Sequence, residues 1–210
     1  MTTARPLLFL DVDGPLNPYA AKPSRRPEGY QTYRFFVGTS EWGKKGLRVW
    51  LNPAHGPALL ALPFDLVWGT TWEAMANEYI GPAIGLPELP VVHFGFTEST
   101  KIPALVRHAD GRPFAWVDDD ITAGDLMYAK THAGAPFLLR TISPRLGLRG
   151  NDFDLLHEWA GSLEPAPTDE MCACGIARRY HLGDGTIQAN PWSDETCDGF
   201  IPAGGEDNDA

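Results

Sequence analysis

An apolar run that stops abruptly at acids constrains this chain most. Pro6-Leu7-Leu8-Phe9-Leu10 leads straight into Asp11-Val12-Asp13-Gly14-Pro15-Leu16-Asn17. A short continuous apolar run bounded by turn residues is the pattern of a strand buried on both faces. At the strand's carboxyl end the chain leaves the sheet, and both acids can turn towards one crevice. Open α/β sheets bind ligands in that crevice. A close carboxylate pair suits a hard cation with oxygen ligands. It also suits a division of labour, with one acid as nucleophile and one as general acid/base. A second reading of the same residues is a loop with two solvated acids and a glycine turn.

The rest of the chain alternates strand-like and helix-like segments. Apolar or β-rich runs occupy 30–37, 47–51, 64–68, 89–94, 114–117 and 137–140. Helical spacing or helix formers occupy 54–62, 72–80, 100–108, 123–132 and 151–161. Gly56 and Pro57 weaken the first of these, and Pro103 interrupts the third. Asn151 or Asp152 is a candidate cap for the last. The runs at 30–37 and 47–51, with Gly38, Gly43 and Gly46 between them, predict a β-hairpin with a long tip. Alternation of this kind predicts an α/β fold, a doubly wound, Rossmann-like parallel sheet with helices on both faces. The expected domain is 1–163. Residues 164–210 form an acidic, Pro- and Gly-containing tail that is expected to be largely disordered.

The formal net charge of -10 argues against an extended duplex nucleic-acid footprint, which needs clustered Lys and Arg. It leaves room for a phosphorylated small molecule, nucleic-acid end or phosphoprotein, because a metal ion supplies local positive charge. No run approaches the ~18 apolar residues of a membrane span. No signal peptide is visible, so a cytoplasmic protein without membrane partners is expected. Cys172, Cys174 and Cys197 are odd in number and imply no complete disulfide framework. With His181 they form a candidate zinc set whose spacing departs from paired knuckles; free thiols are the competing reading.

Polar residues recur where the predicted strands end: Asp11 and Asp13, Thr70 and Thr71, then Asp118, Asp119 and Asp120, with Lys101 at a helix start. Each has an ordinary explanation alone. Thr70 or Thr71 could cap the following helix, Lys101 could be a solvated surface lysine, and the acids could form a loop. Their joint order is the signal, since in such a sheet these ends face one crevice.

In that order the chain resembles the haloacid dehalogenase-like (HAD) hydrolase superfamily. The resemblance rests on Asp11-Val12-Asp13-Gly14, Thr70-Thr71, Lys101 and Trp116-Val117-Asp118-Asp119, over about residues 6–160. A looser likeness, carried by Trp68-Gly69-Thr70-Thr71-Trp72 and the small insertions, points to HAD domains associated with RNA-repair proteins and to capless small-CTD-type phosphatases. Pro15 stands where Thr or Val is usual in the family. The resemblance implies a Mg2+-dependent phosphomonoester phosphatase acting through an aspartyl-phosphate. Asp11 would be the nucleophile, Asp13 the general acid/base, and Thr70 and Lys101 the phosphate- and nucleophile-contacting residues. Thr70 is preferred over Thr71, which is left as helix cap. Mg2+ would be held by Asp11, by Asp13 through its backbone carbonyl, and by Asp118, with Asp119 close by. The short insert between Thr71 and Lys101 predicts a capless or minimally capped site under a hairpin flap. On that flap Arg34, Lys44, Lys45 and Arg48 could touch a large substrate or simply be solvated. The alternative is a non-catalytic or nucleic-acid-end-binding module.

Overall fold

The computed structural model describes residues 5–36, 46–95 and 100–163. The chain divides into two units, Met1–Leu163 and Glu164–Ala210, and every described residue belongs to the first. The expectations for the tail, for Cys172, Cys174, His181 and Cys197, and for Lys44 and Lys45 lie outside the described residues.

The elements run in order β1 (Leu7–Leu10), β2 (Gln31–Phe35), β3 (Leu47–Leu51), α1 (His55–Leu60), β4 (Asp65–Trp68), a π-wound turn (Ala76–Ile80) continuing into α2 (Gly81–Ile84), α3 (Ile102–Ala109), β5 (Phe114–Asp118), α4 (Ala123–His132), β6 (Phe137–Thr141) and α5 (Gly150–Ser162). Four strands form one parallel sheet in the order β4-β1-β5-β6, while β2 and β3 pair antiparallel by themselves. In register, Leu10 lies opposite Trp68 on one side and Val117 on the other. From β1 the chain moves outward to β4, then returns past β1 to β5 and on to β6. The order therefore reverses between β1 and β5, which is where a ligand crevice is expected in an open parallel sheet.

Side-chain alternation builds the two faces. Leu8, Leu10, Leu66, Trp68, Ala115 and Val117 point into one core with Val49, Leu59, Ile84 and Leu156, which come from β3, α1, α2 and α5. Leu7, Phe9, Val67, Phe114 and Trp116 point into the other core with Ile102, Leu105 and Ala129 from α3 and α4. Helices thus flank both faces of this mixed α/β structure. Leu8, Phe9, Leu10 and Trp68 are fully buried. At ~1.5–3 kcal/mol per buried large apolar side chain, these strands anchor the residues at their ends. Among the described residues, no helix is long and apolar enough to cross a membrane.

Four local expectations change. The run at 89–94 is not a strand. Val91 bridges Trp68, with Trp68 N–H donating to Pro90 O and Val92 N–H donating to Trp68 O at 2.9 Å each. Pro87 and Pro90 lack the donors that a longer ladder needs. Pro103 does not interrupt α3, because it sits in the first turn, where a missing N–H costs nothing. The helix expected over 54–62 is shorter, and Gly56 has a packing role in it: a Cβ there would lie 1.8 Å from Ile84 O, so glycine allows α1 to meet α2. Asn151 and Asp152 do not occupy the N-cap of α5, which falls at Arg149; Asp152 instead reaches back to accept from Arg149 N–H at 2.9 Å.

Candidate active site

The crevice between the ends of β1 and β5 gathers charge. β1 pairing extends one residue, with Asp11 N–H donating to Val117 O at 3.1 Å, so Asp11 is fixed at the sheet edge. Asp118 is the last residue of β5. Both carboxylates are buried. Lys101, the residue just before α3, reaches between them, with Nζ 2.9 Å from Asp11 Oδ2 and 2.7 Å from Asp118 Oδ2. Asp118 Oδ1 accepts the N–H of Asp120 at 2.9 Å. Asp11, Asp118 and Asp119 each offer an oxygen, all within 4.8 Å of one another.

One ammonium does not balance these acids. Burial pushes the Asp11 carboxyl up to about 7, and the Asp118 charge adds to this, while Lys101 and a hydrogen bond from Thr70 pull the other way. Burial alone would lower the Lys101 ammonium, but Asp11 and Asp118 outweigh it and hold it above its ordinary value. At an effective dielectric of ~20, two like charges 4 Å apart repel by ~4 kcal/mol. Three convergent carboxylates facing one lysine are therefore short of positive charge. The donors are all oxygen, which fits a hard divalent cation such as Mg2+.

The loop after β1 is held by Asp119 and by Trp72. Gly14 has φ +92°, and a Cβ there would lie 2.5 Å from Asp119 Cβ, so the loop and the second acid cluster are in direct contact. Tyr19 Oη donates to Asp119 Oδ2 at 2.9 Å. The Asp13 carboxylate lies outside the three-acid group. Its Oδ1 accepts from Asn17 Nδ2 at 2.7 Å and its Oδ2 from Trp72 Nε1 at 2.9 Å. Two hollows flank the loop. One of about 390 Å³ is lined by Asp11, Thr71, Lys101 and Asp118. The other, about 730 Å³, is lined by Asp13, Tyr19, Arg48 and Trp72, and Asp119 and Asp120 line both.

The structure thus brings together Asp11, Thr70, Lys101, Asp118 and Asp119, with Asp13 on the neighbouring side. Thr70 is fully buried against Asp11. Thr71 does not cap a helix: it is exposed and lines the smaller hollow. The turn is instead closed by Thr70 Oγ1, which accepts from Trp72 N–H at 3.3 Å. The carboxylate of Asp13 is not part of the three-acid group, and Asp120 is exposed. Arg34 and Arg48 lie opposite each other on β2 and β3, both exposed, with the Arg48 guanidinium 5.0 Å from the Trp50 ring. Sequence reasoning missed Asn17, Tyr19 and Trp72. Asn17 and Tyr19 read as loop residues and Trp72 as one apolar position of a helix. Comparison with protein-family models, with curated proteins and with solved structures gives no match for this chain.

Proposed function

We propose that the protein is a Mg2+-dependent phosphomonoester phosphatase of the HAD type, with a doubly wound, Rossmann-like sheet and β2–β3 as a flap beside an uncapped site. The observation that carries this reading is Lys101 bridging buried Asp11 and Asp118 with an oxygen of Asp119 alongside, at the point where strand order reverses. A buried acid cluster of that kind has little use as packing and direct use in phosphoryl transfer.

Asp11, Asp118 and Asp119 would hold the cation, which when bound offsets their mutual repulsion and the charge of a phosphate dianion. Lys101 fixes Asp11 through Oδ2, and buried Thr70 fixes it from the β4 side. An Asp11 oxygen attacks phosphorus, and the bond to the leaving alcohol oxygen breaks. The electron pair stays on that oxygen, which takes a proton from Asp13. Asp13, now a carboxylate, takes a proton from a water whose oxygen attacks the aspartyl-phosphate. Inorganic phosphate departs and Asp11 returns to its carboxylate form.

The test is hydrolysis of 4-nitrophenyl phosphate with and without Mg2+, by wild type and Asp11→Asn. Turnover should require the metal, and the variant should lose at least ~10³-fold of it while keeping its thermal midpoint. Undiminished turnover by Asp11→Asn would refute the nucleophile. A protein that binds Mg2+ without turning over any of a panel of nucleotides, phosphorylated oligonucleotides and phosphopeptides would instead be a binding module.

A further inference from the structure

Asp13 is held in a way the phosphatase reading does not require. Each of its carboxylate oxygens accepts one side-chain donor, from opposite ends of the sequence neighbourhood. Asn17 lies four residues on in the same loop, and Trp72 follows the end of β4, 59 residues away. Asn17 and Trp72 are themselves buried. Side-chain amides can face either way, but here the choice is made by β3. Trp50 N–H donates to Asn17 Oδ1 at 3.0 Å, which leaves Nδ2 as the end that meets Asp13. A backbone group of the hairpin thus dictates that Asn17 donates, rather than presents a second oxygen, to the acid. Asp13 lines the larger hollow with Tyr19, Arg48 and Trp72, while Asp11 lines the smaller one.

We infer that Asn17 and Trp72 are positioning residues that aim the Asp13 carboxyl at the leaving oxygen of a phosphomonoester whose phosphoryl group meets Asp11 in the smaller hollow and whose leaving group extends into the larger one, with β3 setting the sense of Asn17. The inference rests on the phosphatase reading above. The two donors orient the Asp13 carboxyl and leave each oxygen a second lone pair for the proton that the bond-breaking step transfers within hydrogen-bond reach. The consequence is specific. A leaving group that departs readily without a proton has little need of Asp13, whereas an alkoxide cannot depart without it.

The experiment measures kcat/KM, which covers only steps through loss of the leaving group, for 4-nitrophenyl phosphate and for glycerol 2-phosphate. The variants are Trp72→Phe, which keeps the ring and removes the N–H, and Asn17→Asp, which keeps the acceptor for Trp50 N–H but turns an oxygen towards Asp13. Asp13→Asn supplies the reference pattern. Thermal midpoints and circular dichroism identify any variant that fails to fold. For both positioning variants we expect a loss of at least about tenfold on glycerol 2-phosphate and less than about threefold on the nitrophenyl ester. Equal losses on both substrates by folded variants, or no loss on either, would overturn the positioning role. If Asp13→Asn itself shows no leaving-group dependence, the general-acid assignment fails instead, and if Asp11→Asn stays active the phosphatase reading fails; the three failures are distinct.

Discussion

Two acid–base clusters, one at the central β1–β5 pair and one at the edge strand β6, are built to different rules. At β6 and α5, Arg140 meets Asp152 one to one: Nε and Nη2 donate to Oδ1 at 2.9 and 2.6 Å, and Oδ2 takes the Arg149 N–H. Charge is matched and both carboxylate oxygens are used. At β1 and β5, a single lysine faces Asp11 and Asp118 with Asp119 alongside. Buried charges persist when they are paired and hydrogen-bonded. The first cluster meets that condition with protein atoms alone, and the second does not. The difference separates a matched ion pair from an acid excess that a bound cation could offset.

Removing the Lys101 ammonium from the acid-rich cluster should have the largest effect. Lys101→Met should lower kcat/KM by ~10³-fold, in the range seen when a charge-stabilising donor is lost. It should also lower the thermal midpoint more without Mg2+ than with it, because the metal then becomes the remaining counter-charge. An equal drop in both conditions would mean the two acids do not depend on a shared cation. Next, Gly14→Ala should cost ~10²-fold in turnover. The residue has a left-handed φ, and its new Cβ would meet Asp119 at 2.5 Å, displacing one acid group against the other. Unchanged kinetics would show that the loop and the β5 acids need not be in register.

A third buried group, a histidine, extends the same contrast. His55 packs against Tyr30 and Phe153, and burial lowers its pKa to about 4, although a hydrogen bond to the Leu148 backbone opposes this. Glu28, Tyr30 and Arg149 line the same hollow. Its folded value lies below its unfolded value, so the unfolded chain binds the proton first. Its contribution is present above about pH 6.5 and is lost as pH falls towards 4, by about 2–3 kcal/mol. Chemical denaturation from pH 7 to 4 should therefore lower the stability of wild type relative to His55→Phe by that amount, whereas parallel curves would contradict it. The smallest effect belongs to the balanced pair. Asp152→Asn keeps the shape of its bonds and loses the charge, costing about 2 kcal/mol of stability with kcat/KM unchanged. A drop in kcat/KM without a drop in stability would erase the distinction between the two clusters.

Much of this arrangement is legible from sequence because it is local. A strand that is apolar on both faces and stops at an acid announces both itself and its end, as at Leu10–Asp11 and Val117–Asp118. The order of Thr70, Lys101 and the acids carries the rest of the site. What escapes the sequence depends on side-chain direction or on contact between distant elements. Trp72 looks like core, and only its indole N–H, aimed at Asp13, separates it from core. Asn77 holds the π-wound turn by accepting from Trp68 Nε1 and Leu89 N and donating to Leu89 O, and no periodicity reports such a latch. Other misreadings had a visible signal. Pro87 and Pro90 already argue against a strand at 89–94, and Pro103 near a helix start is a favoured placement rather than a break.

The acid excess at the ends of β1 and β5 is proposed above as a divalent-cation site serving hydrolysis. It is tested most directly by following the thermal midpoint and 4-nitrophenyl phosphate turnover together while Mg2+ is removed by chelation and added back, in wild type and Asp118→Asn. Wild type should lose turnover and midpoint on chelation and regain both with Mg2+, and Asp118→Asn should regain neither. Turnover that persists in excess chelator, or a midpoint that responds to Mg2+ equally in both proteins, would contradict it.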